Sequence, residues 1–144
     1  MTIGTSDTST TNLLDALGDS ESFTISLTVG HKTSGQLASS LRIRGSAYPD
    51  VIKFTASGIT SVSSGTLIAP LEANKLTTVH AVFDRTNETT AFYDGDDLIC
   101  EEKWSSSLKT VMKQENLRIL FYGGTSARSG YIQKILVTKG NIFE

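Results

Sequence analysis

Two turn sequences divide the stretch 77–104 into three predicted β-strands, and this stretch constrains the fold more than any other. The first turn is 85–88, and the second is 94–97, where Asp94-Gly95 lies between two apolar runs. Glycine favours a hairpin here because it adopts positive φ without steric cost. The predicted strands carry apolar residues on both faces, which is typical of strands that are packed on both sides. The pattern therefore predicts an antiparallel three-stranded meander.

Short strands of the same kind are predicted along the rest of the chain. In 22–29 the apolar residues alternate with Ser and Thr, which is the period-two pattern of a half-buried strand. Further strands are predicted at 37–44, 51–56, 59–68 (a weaker, interrupted pair), 117–122 and 131–138. Helical spacing is limited to 12–18 and 105–116, and both segments are short. Turn signals spaced about 8–12 residues apart then predict an all-β sandwich or barrel with at most short helical turns.

The composition excludes several classes of protein. A chain of 144 residues suits one domain with a single core. The 13 basic and 15 acidic residues give a net charge of -2, so we expect no nucleic-acid partner. One cysteine excludes an internal disulfide, and no apolar run approaches the roughly 20 residues of a membrane helix, so we expect no membrane insertion.

The first residues differ in composition from the rest of the chain. Residues 1–11 are rich in Ser, Thr and Gly, and we expect a polar N-terminal arm before a single β-sandwich domain at 12–144. The arm either contacts a neighbouring subunit or lies along its own domain as an edge strand. The start of the chain lacks both the positive and the apolar region of a signal peptide, so we expect synthesis in the cytoplasm without classical secretion.

Three segments together resemble the concanavalin A-like, laminin-G-like jelly-roll family. They are FTIS at 23–26, VHAVFDRTNETTAFYDGDDLI at 79–99 and the closing GYIQKILVTKGNIF at 130–143. The chain departs from the family at Gln133-Lys134, where the family often has an acidic residue. The resemblance implies a sandwich of two antiparallel sheets. Members of the family include glycan binders, protein binders, hydrolases and structural parts of assemblies, so the fold alone does not select a function.

An acidic cluster surrounds the second turn of the meander. Asp94, Asp96 and Asp97 are close in sequence, and Asp84 lies on the preceding strand. Several carboxylates suit calcium, which takes oxygen ligands. The alternative, which we favour, is that the turn requires Asp and Gly for backbone reasons. We therefore expect no metal and no cofactor, with calcium as the weaker possibility.

Catalytic patterns are weak in this sequence. His80 and Cys100 could form a nucleophilic pair, but Cys100 follows Leu98 and Ile99, which suits a buried, unreactive thiol. A glycosidase needs two carboxylates facing one cleft, whereas the sequential Glu101-Glu102 point to opposite faces of a strand. We expect a protein that is not an enzyme.

Aromatic and polar residues near strand ends suit a sugar-binding site. Aromatic rings give stacking platforms, and Asn and Arg give hydrogen bonds. The predicted ligand-binding residues are Tyr48, Asn87, Trp104, Tyr122, Arg128 and Tyr131. Trp104 has a second interpretation, because a ring at a strand end also packs against the edge of a core.

Two functional hypotheses follow from these features. The first is a non-catalytic structural, adhesion or decoration subunit of a larger surface assembly, most plainly a bacteriophage virion protein, with other subunits bound through 1–11. A virion protein is made in the cytoplasm and released by lysis, which agrees with the absence of an export signal. The alternative is a carbohydrate-binding, lectin-like module with glycan partners.

Overall fold

A computed structural model describes residues 6–8, 20–31, 39–44, 50–55, 58–72, 74–113, 118–122 and 130–144. The strands are β1 (Ser6–Thr8), β2 (Ser22–His31), β3 (Ser39–Arg44), β4 (Asp50–Thr55), β5 (Gly58–Ser61), β6 (Leu67–Ala69), β7 (Thr77–Asp84), β8 (Thr89–Asp94), β9 (Asp97–Lys103), β10 (Arg118–Tyr122) and β11 (Gly130–Lys139). One short helix, α1 (Ser106–Val111), lies among these residues. The predicted all-β class is therefore confirmed.

The strands form a jelly-roll sandwich of two antiparallel sheets. One sheet has six strands in the order β1-β10-β3-β4-β5-β6, and the other has five in the order β11-β2-β7-β8-β9. Strands that are distant in sequence, such as β11 and β2, are direct neighbours in the five-stranded sheet. This is the predicted architecture.

The core lies between the two sheets and follows from the period-two pattern. On β2 the alternate residues Phe23, Ile25, Leu27 and Val29 are almost completely buried. Across the sheet, Phe23 pairs with Phe83 of β7, and their rings stack with centroids 4.8 Å apart. Residues of the six-stranded sheet close the core from the other side; among those described they are Val51, Ile52, Phe54, Ile59, Ile68 and Ala69.

The predicted meander is formed by β7, β8 and β9. The turn between β8 and β9 is a two-residue loop whose first residue, Gly95, has φ of +58°, as in type II′ hairpins. In the turn between β7 and β8, the backbone amides of Thr86 and Asn87 donate to one carboxylate oxygen of Asp84 at 2.9 and 3.0 Å. Both turns lie where the sequence predicts them.

One part of the meander prediction is wrong. β9 is the last strand of the five-stranded sheet, and its apolar residues are not covered on both faces. A register shift between Phe92 and Tyr93 of the neighbouring strand leaves Ile99 as an extra residue on β9. Leu98 and Ile99 are consequently 58% and 39% exposed, although both were expected inside.

The predicted short helix within 105–116 is confirmed as α1. The Ser105 hydroxyl oxygen accepts a hydrogen bond from the Leu108 amide at 3.2 Å, which caps the first turn. Leu108 and Val111 are buried against the sandwich, so packing stabilises this six-residue helix. The other predicted helical segment, 12–18, lies outside the described residues.

The N-terminal arm is described only at β1, which pairs antiparallel with β10 at the edge of the six-stranded sheet. In this register Ser6 lies opposite Tyr122 and Thr8 opposite Leu120. This pairing is what the edge-strand alternative expects. The division into 1–11 and 12–144 and a contact of the arm with another subunit stay predictions.

Candidate functional site

A groove of about 260 Å³ opens at one end of the sandwich, and we call it the mouth groove. It lies where the chain leaves β6, at the edge of one sheet, and enters β7 in the middle of the other. The connection contributes Pro70, Glu72, Lys75 and Leu76, the start of β7 contributes Thr77 and Thr78, and the β8–β9 turn contributes Asp94 and Gly95. Hydroxyl, carboxylate, ammonium and apolar groups therefore line one concave surface.

Backbone hydrogen bonds shape each wall of the mouth groove. The Gly95 amide donates to the Thr78 carbonyl at 3.1 Å, which fixes the hairpin turn against the start of β7. On the opposite wall, the Lys75 amide donates to the Glu72 carbonyl at 3.3 Å, and Asn74 adopts φ of +60°. A Cβ added at Gly95 would meet no atom within 4 Å, so space is open beside this turn.

The charges of the mouth groove do not cancel. Lys75 Nζ lies 3.1 Å from Glu72 Oε2, and both side chains are well exposed. Such a surface ion pair contributes little stability. The half-buried Asp94 carboxylate accepts no hydrogen bond from any residue in the described part of the chain. It is therefore a ready hydrogen-bond acceptor in the wall.

Beside the mouth groove, the outer face of the five-stranded sheet carries a row of polar and aromatic residues. Ser26, His80 and Tyr93 lie opposite one another on β2, β7 and β8. The Ser26 Oγ and His80 Nδ1 atoms are 2.6 Å apart. Partial burial lowers the pKa of His80, and the nearby Asp96 carboxylate opposes that effect. This imidazole is thus held toward its neutral form.

The C-terminal segment, residues 140–144, lies across this outer face. The Thr24 hydroxyl donates to the Gly140 carbonyl at 2.9 Å, and the Gly140 amide donates to the Ser22 carbonyl at 2.8 Å. At the far end of the segment, the Phe143 ring stacks on Tyr93 and meets the edge of His80. The aromatic surface of the sheet is therefore occupied by the chain itself.

Two further residues of the outer face are also buried. Val82 and Ala91 face away from the core, yet they are only 5% and 9% exposed. The row that contains Ser26, His80 and Tyr93 ends in Leu136 on β11 and Leu98 on β9, and both of these leucines are exposed. The centre of the face is closed, so the mouth groove is the open concave site of this region.

The expectation that Trp104 gives a stacking platform is corrected by its burial. The indole is 7% exposed, and its Nε1 donates to the Thr90 hydroxyl at 2.9 Å inside the sandwich. A ring that packs with Leu108 and Met112 in the core has no free face for a sugar. The packing interpretation therefore describes this residue.

Among the other predicted ligand-binding residues, the structure describes the side chain of Asn87 alone, and the roles of Tyr122 and Tyr131 stay predictions. Asn87 is exposed, but its Nδ2 donates to Asp84 Oδ2 at 2.8 Å within the β7–β8 turn. The backbone places Tyr122 on β10 opposite Ser40, and Tyr131 on β11 in the other sheet. Tyr48 and Arg128 lie outside the described residues, so their role stays a prediction.

The acidic cluster forms a turn. Across the residues that the structure describes, no group of three or more His, Cys, Asp or Glu side chains is arranged to hold a metal ion. Asp94 and Asp97 are paired across the hairpin, and Asp96 lies in its loop. The weak calcium candidates Asp94, Asp96 and Asp97 thus do not converge on one point, and Asp94 belongs to the mouth groove instead.

The hypothetical nucleophilic pair is separated by the sheet. His80 lies on the outer face, whereas Cys100 pairs with the inward-facing Phe92 and packs against the core. Burial raises the pKa of the Cys100 thiol, and the Glu102 carboxylate raises it further. The sequence predicts a buried thiol, whereas Cys100 is half-buried. Its raised pKa nevertheless disfavours the reactive thiolate.

Glu102 has a structural role that the sequence did not indicate. Its carboxylate accepts hydrogen bonds from the Ser61 hydroxyl, at 2.5 and 2.7 Å, and from the Ser64 hydroxyl. These bonds connect β9 to the last residue of β5, a strand of the other sheet, and to the loop that follows it. Through these hydrogen bonds, Glu102 links the two sheets.

The residues of the mouth groove were not among those predicted, apart from Asp94. The sequence does contain a signal for one wall of the groove. Pairing β7 with β8 around the turn at 85–88 places Thr78 beside Gly95. The other wall carries no such signal, because residues 70–75 follow neither a strand nor a helix pattern.

Comparisons with known proteins identify the fold. No protein-family model and no curated protein matches the chain. Solved structures do: botulinum neurotoxin type C, in a structure described as showing cell entry dependent on two ganglioside molecules, is 14% identical with a TM-score of 0.57. The CBM40 of the Ruminococcus gnavus IT-sialidase, bound to alpha2,3 sialyllactose, is 15% identical with a TM-score of 0.54, and a sialidase is 14% identical with a TM-score of 0.56.

The matches differ in how much of each protein they cover. They include 95% of this chain and 37% of the neurotoxin chain, 84% of this chain and 77% of the CBM40, and 75% of this chain and 10% of the sialidase. The chain thus spans about a tenth of the sialidase it matches. At these identities the similarity shows a shared jelly-roll β-sandwich fold.

No helix among the described residues is long and apolar enough to cross a bilayer.

Proposed function

We propose that this chain is a non-catalytic, lectin-like carbohydrate-binding domain of the concanavalin A-like class, and that it holds a sugar ring in the mouth groove. The observation that carries the proposal is the groove itself, an open concavity lined by two threonines, an Asp94 carboxylate without a described partner and two apolar side chains. Sugars present hydroxyls and apolar ring faces together, so they fit such a mixed lining.

Size supports a small ligand. The volume of about 260 Å³ lies just below the roughly 300–1,000 Å³ of pockets that enclose drug-sized molecules. A single sugar ring at the end of a glycan fits this scale, with the remaining rings in solvent. The fold similarity to a CBM40 bound to alpha2,3 sialyllactose adds weight, because that domain supports glycan binding on the same kind of sandwich.

We propose a non-catalytic domain because the candidate nucleophile and the candidate carboxylate are poorly placed for catalysis. The thiol of Cys100 has a raised pKa and lies across the sheet from His80, and the carboxylate of Glu102 is held by serine hydroxyls. Structures with a similar fold include enzymes such as a sialidase. The virion hypothesis, with its location in a particle and its subunit partners, receives no support from these similarities and stays a prediction.

A glycan array probed with the full chain tests the proposal, followed by calorimetric titration of each hit. The matched variants are Leu76→Gln in the mouth groove and Leu98→Gln outside it, since both leucines are exposed. We expect Leu76→Gln to weaken binding at least threefold by removing an apolar contact, and Leu98→Gln to leave it unchanged. An array without hits, or equal losses in both variants, would remove the proposal.

A further inference from the structure

We infer that the sugar held by the mouth groove is uncharged, so that the chain prefers neutral glycans to sialylated ones. This inference rests on the proposed function and concerns the chemistry of its ligand. It differs from what fold similarity alone suggests, because the CBM40 with the same fold is bound to a sialylated glycan.

The charges that line the mouth groove argue against an anionic ligand. Glu72 and Asp94 are acidic, and Lys75, the one basic residue in the described lining, already lies 3.1 Å from Glu72 Oε2. A sugar carboxylate placed here would be a third anionic group beside a single ammonium, and the like charges would repel one another. The nearby Asp96 and Asp97 add negative charge at the turn.

The same groups suit a neutral sugar. A carboxylate accepts hydrogen bonds from two neighbouring hydroxyls, and O–H···O⁻ bonds are among the stronger hydrogen bonds in proteins. The Asp94 carboxylate is available for this role, since no described residue donates to it. Pro70 and Leu76 give the apolar surface that a sugar ring covers with its C–H face.

The experiment compares glycans that share one core and differ in a single charge. Lactose and 3′-sialyllactose form such a pair, and further neutral disaccharides and their sialylated forms are tested in the same way. A disaccharide containing glucosamine adds a cationic probe. Each is titrated calorimetrically into the full chain at 50 mM and 500 mM NaCl, because screening weakens charge interactions and leaves neutral binding nearly unchanged.

Two variants separate the contribution of Asp94 from general charge effects. Asp94→Asn removes the acceptor in the groove, whereas Asp96→Asn removes an equal charge from the same turn outside the lining. We expect Asp94→Asn to weaken binding of the neutral glycan about tenfold and to reduce discrimination against its sialylated form. Asp96→Asn should change the neutral affinity less than threefold. Thermal melting of both variants verifies that they are folded.

The outcomes separate this inference from the proposed function. A neutral glycan that binds at least tenfold more tightly than its sialylated form, with little salt dependence, supports the inference. Tighter binding of the sialylated or the glucosamine-containing member overturns the inference and leaves the proposed function standing. Binding of neither series overturns both.

Discussion

The rings of Tyr93 and Phe143 stack with centroids 3.9 Å apart and planes inclined by 16°, which fixes the C-terminal segment on the outer face of the five-stranded sheet. The same Phe143 ring meets His80 edge-on, with the centroids 5.4 Å apart. Val82 and Ala91, which lie on the same face, are also buried. The end of the described chain is therefore part of the folded domain.

Phe143→Ala should lower the free energy of unfolding by about 1–2 kcal/mol, because it removes the ring stack and uncovers the sheet. Urea denaturation followed by circular dichroism measures this change. Ile142→Ala is the matched control, since Ile142 is 41% exposed and should cost less than about 0.5 kcal/mol. Equal stability of the Phe143 variant and the parent chain would show that the segment is not held there.

His80 should titrate below the usual histidine value of about 6.5, since burial lowers its pKa more than Asp96 raises it. Below that value the unfolded chain binds more protons than the native one, so stability falls as the pH falls through the folded pKa. NMR titration of the imidazole proton measures the pKa, with His31→Gln as the assignment control. Asp96→Asn should lower the pKa further. A native pKa above 6.5 would contradict this account.

Asp84 should stabilise the β7–β8 turn only while it is ionised. Bonds from the Asn87 backbone amide, the Asn87 side chain and the Thr86 amide hold the pKa of this carboxyl below its usual range, against a smaller effect of burial. Its contribution is therefore present above about pH 4 and is lost as the pH falls through the lowered folded pKa.

Asp84→Ala accordingly should cost about 1 kcal/mol at pH 7 and much less at pH 2. Denaturant melts at the two pH values measure the difference. Asp84→Asn is the control, because its amide oxygen can still accept the two backbone bonds. If the cost of the alanine substitution were the same at both pH values, the ionised carboxylate would not be its source.

Trp104 should report on the core and not on the ligand. It is the only tryptophan, and its buried Nε1–H donates to Thr90. We expect blue-shifted fluorescence that resists acrylamide and stays unchanged when a glycan binds in the mouth groove. Trp104→Phe should destabilise the fold by about 1–3 kcal/mol by leaving the Thr90 hydroxyl without its donor. A large change in Trp104 emission on glycan addition would contradict the position of the site.

The sheets were predictable because their strands obey a simple period. The alternation of Phe23, Ile25, Leu27 and Val29 with polar residues placed the core face of β2 correctly. The hairpin at Gly95 was predictable as well, because few residues other than glycine adopt its positive φ without strain. These features depend only on local geometry.

Features that depend on tertiary position were not predictable. Leu98 and Ile99 suit a buried strand equally well, and only strand order and the bulge show that β9 is an edge. Phe143 follows the closing strand by a few residues, and no local pattern indicates that it returns to Tyr93.

The candidate site was predictable only in part. Glu72 and Asp94 come from a loop and a turn that are separated by two strands in sequence, and their approach depends on how the chain crosses between sheets. The aromatic pattern favours Trp104 as a binding residue, but its ring is buried in the same core cluster as Leu108 and Val111 of α1. Composition identifies groups that can bind a sugar, whereas the fold decides which of them share a surface.

The most direct test of the central claim is an NMR titration of the ¹⁵N-labelled full chain with the best glycan from the array. The Gly95 amide, which donates to the Thr78 carbonyl at 3.1 Å, reports on one wall of the mouth groove, and the Lys75 amide reports on the other. We predict the largest shift changes at Gly95, Thr78 and Lys75, with no change at Thr110 in α1. Saturable shifts confined to another part of the sandwich, with these three amides unmoved, would contradict the claim.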